Sequence, residues 1–85
     1  MEEQIANALI GPLMSKGIVV DSVRYGVDEE EKVNTLYVVI DKVDGDVTID
    51  EVVEATKIIN PIVDELDLIK EEYTLDVSSK EKGDN

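Results

Sequence analysis

The sequence predicts an α+β fold: a two-layer sandwich in the order α-β-β-α-β, with a three-stranded sheet covered on one face by two helices. Three observations predict it. Two segments place apolar residues three and four apart, as one stripe of an amphipathic helix does. Three others are rich in β-branched residues and alternate apolar with polar, as half-buried strands do. A capping-box sequence marks where the second helix begins.

In the first segment, Glu2 to Lys16, Ile5, Leu9 and Leu13 stand four apart with Ala6 and Ile10 beside them. Glu2 and Glu3 complement the positive end of the helix dipole, Lys16 the negative end, and Gly17 suits a C-terminal cap. Gly11-Pro12 predicts a kink or a division near Ala8 to Gly11, since Pro12 has no N–H to give to the ladder. The first strand, Ile18 to Tyr25, is read with Val19, Asp21, Val23 and Tyr25 on one side. Gly26 to Lys32, with Asp28 and Glu29 to Glu31 in a row, reads as a loop or hairpin end. In Thr35 to Lys42, Leu36, Val38 and Ile40 share one face, while Tyr37, Val39 and Asp41 share the other. A short polar loop between two such strands predicts an antiparallel hairpin.

In VTIDEV, Thr48 caps a helix and Glu51 reaches back to it, with Val47 and Val52 placed as a hydrophobic staple. Val52, Ala55, Ile59, Ile62, Val63 and Leu66 keep helical spacing. Pro61 removes the bond to Lys57, so the helix is expected to run, kinked, to Leu66. Tyr73 to Ser79 alternates Tyr73, Leu75 and Val77 inward as a third strand, and Lys80 to Asn85 reads as a frayed polar tail. One domain, residues 1–79, is expected, followed by that tail.

Composition excludes whole classes of function. The chain has 85 residues, 21 acidic against 8 basic, and a formal charge of −13, with 42% apolar residues. That apolar share is normal for a globular domain and too high for an acidic disordered chain. There is no Cys, hence neither a disulfide nor a thiolate nucleophile, and no His, which removes the usual base near neutral pH. Phosphate backbones are bound by clustered Lys and Arg, so the charge opposes nucleic acid. No signal peptide and no stretch able to span a bilayer is present, and a cytoplasmic location is expected.

Specific motifs fail in the same direction. An EF-hand reading with Gly45 at the sixth position of the loop puts Ile40 and Lys42 where carboxylates are needed. No glycine pattern forms a phosphate cradle, and there is no GxxG loop of the kind KH domains use to clamp RNA. Ser15, Ser22, Ser78 and Ser79 have no base, and Tyr25, Tyr37 and Tyr73 read as core and edge fillers. No enzyme, cofactor or metal site is expected. The acidity itself has two readings, a solvated surface or attraction to a basic partner.

GIVVDSV, YVVIDK, GDVTIDEVVEATKII and above all YTLDVSS, in that order, resemble the N-terminal domain of the bacterial ribosome maturation factor P (RimP) family, over roughly Ile5 to Ser79. The resemblance implies the same α-β-β-α-β sandwich and no catalytic activity. It also implies a role in assembling the small ribosomal subunit, with the immature particle or a basic ribosomal protein as partner. Two departures accompany it. Thr56-Lys57 stands where the family usually has Ser-Arg. Ser78-Ser79 is followed by KEKGDN instead of the Pro-Gly motif, ending in Arg-Pro-Leu, that leads into the family's C-terminal SH3-like domain, so that domain is expected to be lacking. Carried over by position are Asp41 and Lys42, Asp50 and Glu51, and Asp76, Ser78 and Ser79. Asp41, Asp50 and Glu54 are expected to face the partner. The alternative is a stand-alone interaction or oligomerising module outside the ribosome, in which an unpaired edge strand pairs weakly with a second copy against like charge.

Overall fold

The computed structural model describes residues 1–80, and its elements follow the expected order: α1 Glu2–Met14, β1 Ile18–Val27, β2 Asn34–Lys42, α2 Ile49–Leu66 and β3 Thr74–Ser79. The sheet order is β1-β2-β3, with β1 antiparallel and β3 parallel to the central β2. A parallel neighbour requires a crossover, and α2 is that crossover. Both helices pack on one face. Ile5, Leu9 and Leu13 of α1 and Ala55, Ile59 and Val63 of α2 close over Leu36, Val38 and Ile40, and all nine are buried.

Caps set the helix ends. Glu51 N–H donates to Thr48 Oγ1 at 3.2 Å and Thr48 N–H donates to Glu51 Oε1 at 2.8 Å, which completes the capping box. Neither proline divides its helix: Pro12 lies inside α1, Pro61 inside α2, and α2 runs to Leu66 as expected. It stops at Asp67, which takes a left-handed φ of 53° while its N–H still donates to Val63 O. In contrast to expectation, α1 ends at Met14, so Lys16 lies beyond the last turn. Lys16 and Gly17 close the end with tighter bonds to Leu13 and Met14, and Gly17 takes a φ of +77° that strains any residue with a Cβ.

The reading of β1 needs a correction. Val19, Asp21, Val23 and Tyr25 do not share a side. The register passes from Val20↔Ile40 to Ser22↔Val39, leaving Asp21 as a bulge. One extra residue reverses the parity of everything beyond it. Ile18 and Val20 face the core before the bulge, Val23 and Tyr25 after it, each opposite or beside the buried face of β2. In β3, Tyr73 just before the strand, Leu75 and Val77 pack on the core as expected. Of the polar tail, Lys80 is described: its N–H donates to Ile40 O at 2.8 Å and its ammonium lies 3.3 Å from Asp21. Residues 81–85 lie outside the described residues.

Candidate functional site

The carboxylates divide into those held by the fold and those presented by it. Asp28 opens the β1–β2 loop, where its Oδ1 accepts from the N–H groups of Glu30 and Glu31 at 2.8 and 3.0 Å. The bond from Glu31, then that from Glu30, holds its pKa below the usual carboxylate value. Glu51 is likewise held down, first by the Thr48 N–H and next by Lys42, whose ammonium lies 2.9 Å away. Groups pinned in the charged form by structural bonds stay ionised. They are poor proton carriers.

Asp50 and Glu54 differ. They stand one turn apart on α2, both exposed, on the side of the helix turned away from the stripe of Ala55, Ile59 and Val63. Asp41 belongs to another surface. It pairs with Val19 on the face of the sheet opposite the helices, is half-buried, and its Oδ1 accepts the Lys42 N–H at 2.7 Å. So Asp50 and Glu54 share one patch, and Asp41 sits on the opposite layer. Asp76 and Ser78 of β3 fall on Asp41's face, in register with Tyr37 and Val39.

No helix covers that face among the described residues. The Arg24 guanidinium lies 4.7 Å from the centre of the Tyr37 ring, a cation–π contact that shields part of it. The Tyr37 hydroxyl points to Asp28 Oδ2 at 3.4 Å. Two exposed aliphatic side chains that sequence reasoning left unremarked lie between β2 and the start of α2, Val43 at 81% and Ile49 at 83% exposure, with Val53 one turn on from Ile49. Ile49 falls outside the stripe set by Val52, Ala55 and Ile59, and that offset was the available signal. Among the described residues no three carboxylates gather where a metal ion would be held. The acids are spread out.

At the opposite end, a groove of about 740 Å³ lies between the β1–β2 loop and the segment leading into β3, with Lys32, Lys70, Glu71 and Glu72 on its walls. Charges of both signs there select no particular ligand. Next to it the Tyr25 hydroxyl donates to Glu71 Oε2 at 2.7 Å. That bond, with some burial and the Glu71 charge, pushes the Tyr25 phenol up to about 12. For an acid whose folded pKa is raised, the stabilisation is complete below the unfolded value near 10 and fades as pH climbs through 10 to 12. The expected result is that Tyr25 remains protonated at about pH 11 and that Tyr25→Phe lowers by one tyrosine the tyrosinate absorbance gained above that pH. If the absorbance gained above about pH 11 is the same in the variant, the Tyr25–Glu71 bond does not form in solution. The Tyr73 phenol, enclosed without a hydrogen-bond partner among the described residues, is also shifted up, by burial first and the Asp64 charge second.

Compared with protein families, residues 10–80 match the model of the RimP N-terminal domain, a domain of ribosome maturation factors. The matched span runs from the middle of α1 through β3 and contains every strand and the whole of α2. Asp41, Asp50 and Glu54 all fall within it.

Proposed function

Because the chain belongs to the RimP N-terminal domain family, we propose that it is a non-catalytic, acidic adaptor in maturation of the small ribosomal subunit, working in the cytoplasm by holding a basic ribosomal protein or the immature particle that carries it. The family match over residues 10–80 carries this reading. The net charge of −13 supports it, since complementary charge steers a basic partner into encounter. Asp50 and Glu54, exposed one turn apart, and Asp41 on the other layer are the contacts proposed.

The test is co-sedimentation with immature small subunits, and titration against a purified basic ribosomal protein, at rising ionic strength. Binding is expected at low salt and should fall steeply as the screening length drops from about 10 Å at 0.1 M toward about 3 Å at 1 M. A protein that ignores both partners at low salt does not have this function.

A further inference from the structure

The two edges of the sheet are finished differently. At β1 the ladder is broken by the bulge at Asp21, and the Tyr25 N–H donates to Glu2 Oε2 at 2.7 Å, so a side chain from α1 occupies the edge. A bulge and an occupied edge amide both prevent another strand from adding there.

β3 carries neither device. Thr74–Ser79 contains no Pro, Gly or Lys, and its pairing with β2 is regular from Thr35↔Thr74 to Ile40↔Ser79. Successive residues of a strand turn their main-chain groups to opposite sides. The Lys80 N–H, which donates to Ile40 O at 2.8 Å, fixes the phase. Thr74, Asp76 and Ser78 therefore turn their N–H and C=O groups to β2, and Leu75, Val77 and Ser79 turn theirs to the open side. Among the described residues no hydrogen bond reaches these outward groups. The open edge is a template for strand addition, in which main-chain bonds supply affinity and alternate side chains supply selectivity.

We propose that the β3 edge receives an extended, cationic segment of a protein partner as a fourth strand of the sheet. The side chains beside the edge define its chemistry. On the outer face Asp76 is exposed, flanked by Thr74 and Ser78, and Lys or Arg on the incoming strand falls within about 5 Å of it, Cβ to Cβ. On the inner face Leu75 and Val77 are half-buried against the core, so an apolar side chain of the incoming strand extends that layer. The segment is thus one that alternates apolar with Lys or Arg. A second copy of this chain fits less well, because each carries a charge of −13. RNA has no amides to pair with the edge, and its phosphates are repelled. The proposal rests on the adaptor reading and adds to it the place and conformation of the ligand.

The test uses the full chain with a short peptide of alternating Val and Lys. A second peptide has N-methyl groups on alternate residues, which keeps the charge and removes the amides that would bond to β3. Amide exchange is followed residue by residue. The unmodified peptide is expected to slow exchange at Leu75, Val77 and Ser79 and to bind about tenfold or more tightly than the methylated one. Ser79→Pro removes an outward N–H without touching the β2 ladder, and it should weaken the unmodified peptide while the fold survives. Equal binding of the two peptides, with changes confined to Asp50 and Glu54 on α2, overturns the edge proposal and leaves the adaptor reading standing. Failure of every cationic peptide and of basic ribosomal protein at low salt ends both. If the same three amides become protected on concentrating the protein alone, a second copy is the occupant and the proposal is wrong.

Discussion

Leu36→Ala is expected to remove about 2–5 kcal/mol of folding stability, the usual result of emptying a buried leucine site. Leu36 is fully buried on the central strand, with Tyr25 of β1 beside it in one register and Leu75 of β3 in the other. Two ladders fix its backbone, so the neighbours cannot close in on the space left behind. Against a total of about 5–15 kcal/mol for a domain this is a large fraction, and at about 4–8 °C per kcal/mol the melting temperature should fall by roughly ten degrees or more. Val43→Ala is the control, because Val43 is 81% exposed and its loss should stay within about 0.5 kcal/mol. Thermal or urea unfolding of the two variants decides. Midpoints within a degree or two of each other would mean that Leu36 is not in the core.

Reversing both Asp50 and Glu54 to lysine is expected to weaken capture of a basic ribosomal protein about tenfold at low salt, equivalent to 1.4 kcal/mol. The loss should shrink at high salt, where exposed charges are screened. Some stability goes as well, because Asp50 lies in the first turn of α2 and a cation there opposes the helix dipole at a cost of about 0.3–1 kcal/mol. Glu29→Lys with Glu30→Lys changes net charge equally, in the β1–β2 loop. If that pair weakens binding as much, only the total charge matters and the α2 stripe makes no contact.

Much of the architecture was legible because its signals are local. The Thr48–Glu51 box spans a single turn, and both bonds form. The stripes Ile5, Leu9, Leu13 and Ala55, Ile59, Val63 become the buried faces of their helices, and the alternation of Leu36, Val38 and Ile40 becomes the centre of the core. For the candidate site the record is different. The spacing of Asp50 and Glu54 on one exposed stripe follows from helical periodicity. That Asp41 faces the opposite layer follows equally from strand alternation. The exposed Val43 and Ile49 were legible only as residues left over from those patterns. The bulge at Asp21 was not legible at all, since IVVDSVRY alternates acceptably whether or not a residue is skipped.

The ends of α2, the inward set of β2 and β3 and the strongly negative charge are all written within a few residues of where they act, so the amino-acid sequence alone determined them. Whether β3 lies beside β2 and parallel to it, or beside β1 and antiparallel, is not written in YTLDVSS. Nor is the capture of the Tyr25 N–H by Glu2, twenty-three residues away. Those outcomes depend on which distant segments meet once the helices have closed over one face. They leave one edge of the sheet blocked and the other open, because strand pairing is settled between residues far apart in the chain, where no local pattern reaches.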